Sequence, residues 1–192
     1  GLLPAAMADG VHPGAVHVLT PHAGEAAALL TALGRTRTRA DVEAAPAEAA
    51  RALAEATGAT VLLKDTPTLI AGPGPGPVLS VDPGPGWLAT AGSGDVLAGI
   101  LGALLAAARA QEEGRARPDS ADPAAAESAE SADPALAAAL AVRLHALAGD
   151  LASGAGPGRT GRPLAALDLT RTLPAAWSAL HGGRSRHDGA PR

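Results

Sequence analysis

The segment Ala89-Thr90-Ala91-Gly92-Ser93-Gly94-Asp95 holds the residue types best suited to chemistry, and a helix is expected to begin there. Glycines let a backbone approach a ligand closely, and the first N–H groups of a helix lack internal acceptors. With the helix dipole added they form a site for an anion, so Gly92, Ser93 and Gly94 are candidates for an anion hole. Asp95 at its edge is suited to take the proton of a hydroxyl that attacks phosphorus. Phosphoryl transfer needs such a base beside a charge-neutralising cradle. The plainer alternative is that Asp95 caps its helix and the glycines only turn the chain.

Two other segments carry polar residues where an α/β fold places ligand loops. Thr20-Pro21-His22-Ala23-Gly24-Glu25 lies between an expected strand and an expected helix. His22 is a candidate substrate contact there, or else a satisfied loop histidine. Val61-Leu62-Leu63-Lys64-Asp65-Thr66-Pro67-Thr68 ends a strand with a lysine and hydroxyls, a combination suited to phosphate oxygens. The alternative for Lys64 is a solvated strand end.

The elements that must position these residues alternate between strand and helix patterns. Val16–Leu19, Thr60–Lys64, Pro67–Ala71 and Val78–Asp82 are expected strands, with a Gly/Pro turn over Gly72–Pro77. Helices are expected over Gly24–Leu33, Pro46–Thr57 with Gly58 as the stop, and Asp95 to about Ala108. Leu136, Leu140, Leu144, Leu147 and Leu151 keep a helical spacing that marks one amphipathic helix. A last helix is expected from Asp168 as N-cap, with Pro174 kinking or dividing it. Gln111–Asp133 is a polar, low-complexity stretch expected to be a disordered insert, and residues 182–192 a loose tail. The pattern predicts an α/β fold with a mostly parallel sheet.

Composition narrows the function classes. A length of 192 residues suits one domain, here expected over residues 1–181. Apolar residues make up 47% of the chain but aromatics only 1%, so the core must be built from Ala, Leu, Val and Ile. A net charge of −4 without a basic cluster before the tail argues against a nucleic-acid partner. The absence of cysteine excludes a disulfide scaffold and a thiolate zinc site. The longest apolar run, near Val96–Ala108, falls short of the ~18–20 residues a membrane helix needs and contains Gly99 and Gly102. No membrane partner and no signal peptide are therefore expected.

Taken together and in this order, the three polar segments resemble the ADP-dependent NAD(P)H-hydrate dehydratases of the ribokinase-like superfamily. Residues 20–25 match that family's TPHxGE turn, and residues 89–106 match its ATxGxGDVLAGxxGxLLA segment almost throughout. Residues 62–64 resemble its LKG strand end, with Asp65 standing where the family usually has glycine. Leu144-His145-Ala146-Leu147-Ala148-Gly149-Asp150 resembles its HGxAGD segment, and Asp168 with Leu173-Pro174 its last helix. Gly1-Leu2-Leu3 resembles the residues that follow the strand closing the family's first half. A ribokinase-like three-layer α/β/α fold with its N-terminal part missing is therefore expected.

The resemblance implies repair of nicotinamide cofactors whose reduced ring has been hydrated. ADP (in relatives of another type, ATP) phosphorylates the ring hydroxyl of the S epimer, and loss of phosphate restores NADH or NADPH. Asp95 would be the catalytic base and a substrate contact, His22 a contact to the hydrated nicotinamide, and Gly92, Ser93 and Gly94 the anion hole. Lys64, Asp65, Thr66, Pro67, Thr68 and Gly94 would hold the nucleotide. Mg²⁺ is expected on the phosphates with no side chain assigned to it. A carboxylate at position 65 would repel a phosphate unless it points away or helps to hold Mg²⁺. A cytoplasmic homo-oligomer is expected. A small-molecule kinase of the same superfamily, or a truncated chain without activity, stand as the alternatives.

Overall fold

The computed structural model describes residues 18–115 and 133–182. Its elements run β1 (Val18–Leu19), α1 (Ala23–Ala32), α2 (Arg39–Ala44), α3 (Pro46–Thr57), β2 (Thr60–Leu63), β3 (Thr68–Ala71), β4 (Leu79–Val81), a short 3₁₀ turn (Gly86–Leu88), α4 (Ser93–Arg115), α5 (Pro134–Ser153) and α6 (Ala166–Gly182). The chain divides into two compact units, one comprising Gly1–Val81 with Leu104–Ala139 and the other Asp82–Ala103 with Leu140–Arg192.

The first unit is built on a four-stranded sheet of order β1-β2-β3-β4. β1 pairs with β2 in parallel, with Leu19 opposite Val61, and three helices fill the crossover between them. β2–β3 and β3–β4 pair antiparallel, with Leu62 opposite Ile70 and Leu69 opposite Ser80. The sheet is thus mixed, not mostly parallel, among the described strands. The reason is chain length: the links after β2 and β3 are short turns, whereas a parallel return needs a dozen or more residues. The α/β class itself stands.

Local sequence explains where the elements of this unit start and stop. Pro46 opens α3 at its first turn, and Gly58 closes it in the left-handed conformation. Its stripe Ala49, Ala50, Leu53 and Ala54 is buried against Val61, Leu63 and Ala71 of the sheet. The four residues of β2 are all buried, as their unbroken apolar run requires. On the outer side of α3, Arg51 Nη1 donates to the Gly76 carbonyl at 3.1 Å and so fastens the Gly/Pro loop before β4. Helix α2 was not anticipated. Thr38 and Asp41 form a capping box, the Thr38 N–H donating to Asp41 Oδ2 at 2.7 Å and the Asp41 N–H to Thr38 Oγ1 at 3.2 Å.

The second unit rests on small residues. Gly84 has φ +90°, and a Cβ there would lie 2.8 Å from Cα and Cβ of Ala146. The chain after β4 therefore crosses α5 at backbone contact. Four residues on, Leu88 packs into the space left by Gly149, where a Cβ would lie 2.9 Å from the leucine side chain. Thr172 Oγ1 of α6 donates to the Ala148 carbonyl of α5 at 2.9 Å, and Leu169 and Ala176 are fully buried.

Several expectations are corrected by these elements. α4 begins at Ser93 and continues to Arg115, so Gln111–Arg115 are helical and not part of a disordered insert. Residues 116–132, 1–17 and 183–192 lie outside the described residues, as do the expectations for Val16, the chain start and the tail beyond Gly182. Lys64 follows β2 and Pro67 precedes β3, while β4 keeps only Leu79–Val81. α6 starts at Ala166, so Asp168 is its third residue: it accepts the Ala165 N–H at 2.9 Å from within the first turn. Pro174 lies inside α6, which continues past it.

The leucine stripe of α5 is buried only at its centre: Leu144 is buried, whereas Leu136 is 61% exposed and Leu151 50%. The rest of the buried face is made of small residues, Ala135, Ala138, Ala141, Val142, Ala146, Ala148 and Ala152. By length and composition Ser93–Gly114 and Pro134–Ser153 are apolar enough to cross a membrane, which corrects the expectation that no run approaches that length. Helix α4 runs further than expected and the second span begins at a proline that permits a helix start. More than half of that second span, 56%, is buried as in a core helix.

Candidate active site

Two polar constellations occupy the positions that the sequence singled out. The first gathers at the ends of β1 and β2. Because these strands are parallel, their C-terminal ends lie side by side, and His22 and Lys64 continue the ladder as an isolated bridge. The Lys64 N–H donates to the Pro21 carbonyl at 2.8 Å. His22 is the N-cap of α1: its Nδ1 accepts the N–H groups of Gly24 at 3.1 Å and Glu25 at 3.2 Å. Nδ1 is therefore unprotonated, and the exposed Nε2 edge carries the ring proton.

Glu25 joins the two residues and was not assigned a role by sequence. Its Oε2 accepts the His22 N–H at 2.8 Å and lies 3.7 Å from Lys64 Nζ, while its Oε1 is 3.6 Å from His22 Nε2. Burial alone would raise the Glu25 carboxyl. The His22 N–H and the nearby Lys64 and His22 outweigh it and hold the group below its ordinary value. The spacing of His22 and Glu25 is that of a capping box, hidden because histidine stands where serine or threonine is usual.

The turn after Lys64 is held by its own residues. Asp65 Oδ1 accepts the Thr66 N–H at 2.8 Å, so this carboxylate is folded onto its turn. Thr68 is 3% exposed, and its hydroxyl donates to the Asp65 carbonyl at 3.2 Å. Lys64 is half-buried; Asp65, Thr66 and Pro67 are exposed.

The second constellation is the start of α4, in the other unit. Gly92 has φ +82°, a conformation that a side chain would strain, and a Cβ there would also lie 3.2 Å from Ala166 at the start of α6. This left-handed turn aims the chain into the helix: the N–H groups of Asp95 and Val96 both donate to the Gly92 carbonyl at 3.2 Å. Asp95 is the third helical residue and is exposed. A carboxylate in the first turn is favoured by the helix dipole and remains available to a ligand. Gly92 and Gly94 are exposed beside it.

Ser93 differs from its neighbours. It is 4% exposed, its N–H closes onto the Thr90 carbonyl at 3.2 Å, and its hydroxyl lies 3.2 Å from His145 Nε2. The same Nε2 is 3.1 Å from the Ser93 carbonyl, which can only accept. His145 is therefore the Nε2–H tautomer, donating to the carbonyl while the hydroxyl shares the contact. Burial lowers its pKa, with the Ser93 carbonyl opposing, so the ring is kept neutral. The side chain of Ser93 thus anchors the helix start instead of facing solvent, and the open edge of the anion-hole candidate consists of Gly92 and Gly94.

Comparison with known proteins bears on what these constellations serve. The profile of the NAD(P)H-hydrate dehydratase family matches residues 8–160, which include both of them. The chain belongs to this family. A bifunctional NAD(P)H-hydrate repair enzyme of Mycobacterium tuberculosis is 56% identical over 90 residues, 46% of this chain and 17% of that protein. An ADP-dependent (S)-NAD(P)H-hydrate dehydratase of Neisseria meningitidis is 47% identical over 89 residues, 46% of this chain and 28% of the relative. Among solved structures, the ADP/ATP-dependent NAD(P)H-hydrate dehydratase of Bacillus subtilis, co-crystallised with ATP and Mg²⁺, superposes with a TM-score of 0.59 at 26% identity. That match covers 84% of this chain and 47% of the Bacillus chain, so the protein described here spans about half the length of its structural relative.

Proposed function

We propose that this chain supplies the base and the nucleotide-handling strand ends of an ADP-dependent dehydratase acting on the S epimer of hydrated NADH or NADPH. The observation that carries the proposal is Asp95, exposed in the first turn of α4 directly behind the left-handed Gly92 turn, within the family-matched region. In this reaction the Asp95 carboxylate takes the proton of the ring hydroxyl. The hydroxyl oxygen attacks the terminal phosphorus of ADP, and AMP leaves. That attack forms a new O–P bond; the original ring C–O bond then breaks as the ring nitrogen supplies electrons, which releases phosphate and restores the reduced nicotinamide. Phosphorylation is needed because hydroxide is a poor leaving group and phosphate a good one.

The remaining residues take roles fitted to their surroundings. The amides of Gly92 and Gly94 face the charge on the transferring phosphoryl group. Lys64, held by Glu25 at 3.7 Å, offers its ammonium to the nucleotide, with the turn of Asp65, Thr66 and Pro67 beside it. Thr68, buried and bonded to Asp65, supports that turn. His22 presents Nε2 to the hydrated nicotinamide. The names of the Neisseria and Bacillus relatives support ADP as co-substrate. Among the described residues no group of three His, Asp or Glu side chains gathers to hold a cation. Mg²⁺ is placed on the phosphates of the nucleotide, and no step is assigned to it. The protein is proposed to act in the cytoplasm as a homo-oligomer on small molecules, without nucleic-acid or membrane partners.

The test is to supply hydrated NADH and ADP and to follow the near-ultraviolet absorbance of reduced nicotinamide together with AMP. Stoichiometric appearance of both supports the proposal. A stable phosphorylated alcohol without recovery of NADH would instead indicate a kinase.

A further inference from the structure

The link between α5 and α6 is rich in glycine and arginine: Gly154, Gly156, Gly158 and Gly161 are interleaved with Arg159 and Arg162. It folds into a defined shape. Gly154, Gly158 and Gly161 have φ of +71°, +70° and +74°, and a Cβ at Gly161 would lie 2.9 Å from the Ala155 nitrogen. Gly156 and Arg159 exchange both backbone hydrogen bonds, at 3.1 and 2.8 Å, and the Arg162 N–H donates to the Ser153 carbonyl at 2.9 Å. From outside the link, Trp87 Nε1–H donates to the Thr160 carbonyl at 2.7 Å.

This folded link borders an open cavity of about 520 Å³, lined by Ser153, Gly154, Gly158, Arg159, Thr160 and Arg162 among others. Arg159 and Arg162 both line it, and no aspartate or glutamate does. Arg159 reaches over Gly154, where a Cβ would lie 3.2 Å from its Nη2, so the absence of a side chain at Gly154 gives the guanidinium its place. Among the described residues neither arginine forms an ion pair. Two arginines lining one cavity, with no acidic residue beside them there, favour an anion over a cation or a neutral ligand. Their planar donor forks match the oxygens of a phosphate better than any neutral ligand.

We propose that Arg159 and Arg162 form a binding site for the terminal phosphate of a nucleotide. The cavity is too large for a free phosphate ion alone and has room for part of the ligand that carries it. Arg159 and Arg162 would bind such a group whether or not Asp95 acts as a base.

Backbone amide and indole N–H resonances of the full chain test this directly. Pyrophosphate, ADP, NADP⁺ and NAD⁺ are each titrated at millimolar concentration. The amides of Gly154, Gly158 and Gly161 and the Trp87 indole are expected to move saturably. In the Arg159→Gln, Arg162→Gln double variant, affinity read at the same resonances is expected to fall about tenfold or more. Lys64→Gln and Asp95→Asn should leave the shifts in this link unchanged, which separates the site from the catalytic proposal. Response to NADP⁺ but not to NAD⁺ or pyrophosphate identifies the ribose phosphate monoester as the ligand group. Response to ADP and pyrophosphate identifies a diphosphate end. Absence of saturable movement with all four ligands overturns the proposal, as does equal affinity in the double variant. Should that variant lose its spectral dispersion, Arg159→Lys and Arg162→Lys, which keep charge but lose the fork, must weaken binding without abolishing it.

Discussion

His145 Nε2 lies 3.1 Å from the carbonyl of Ser93, a residue 52 positions earlier, and so ties the middle of α5 to the first residue of α4. Both residues are buried. The bond fixes the helix start that presents Asp95. His145→Ala is expected to leave the Ser93 hydroxyl without this partner and to open a cavity, costing about 1–3 kcal/mol. Urea unfolding would measure it; a loss below a few tenths would mean that the contact contributes only shape.

The same histidine makes stability depend on pH. Burial holds its folded-state pKa below the ordinary 6.5, so the folded protein resists a proton that the unfolded chain accepts. Its contribution is therefore fully present above the ordinary value and is lost as pH falls through the folded-state value. Melting temperatures measured from about pH 8 to about pH 5 should fall more steeply in the wild type than in His145→Gln. Parallel curves would show that the ring does not titrate in this way.

Two glycine substitutions should act in opposite directions. Gly84→Ala places a Cβ 2.8 Å from Ala146 at φ +90° and is expected to destabilise by about 1–3 kcal/mol or more. Gly99, exposed inside α4 with nothing within 4 Å of a Cβ, should gain roughly 0.5–1 kcal/mol as alanine. Thermal melts of the two variants check both signs.

These contacts mark the boundary of what the sequence made legible. The bounds of α3 were readable because Pro46 and Gly58 punctuate it locally. The placement of His22, Lys64 and Asp95 at element ends was readable for the same reason, since short Gly, Pro and Thr signals lie beside each. Thr38-x-x-Asp41 is a start signal for α2, but the helix is six residues long with one buried apolar residue, Val42, too few to show a helical period. On α5 the leucine spacing located only part of the buried face, at Leu144, while Leu136, Leu140 and Leu151 are exposed. The tight crossing of Gly84 and Leu88 requires the small face of Ala146 and Gly149 instead. Nothing local could join Ser93 to His145, because that bond exists only once α4 and α5 are folded.

Asp150 offers a stabilising change. Burial raises its carboxyl pKa, nearby Arg143 opposes this and Asp82 adds to it. A raised carboxyl contributes stability below its ordinary value and loses it as pH rises through the folded-state value. Asp150→Asn should therefore raise the melting temperature at neutral pH, with the gain vanishing in acid. A lower melting temperature at neutral pH would show that the pairing with Arg143 outweighs burial.

The central claim is that Asp95 is the base of an ADP-driven dehydration. The most direct measurement compares wild type and Asp95→Asn for recovery of NADH from the hydrated cofactor, with ADP binding measured in parallel. Turnover is expected to fall by about 10²–10⁴-fold while ADP affinity stays nearly unchanged. Near-normal turnover in Asp95→Asn would contradict the assignment.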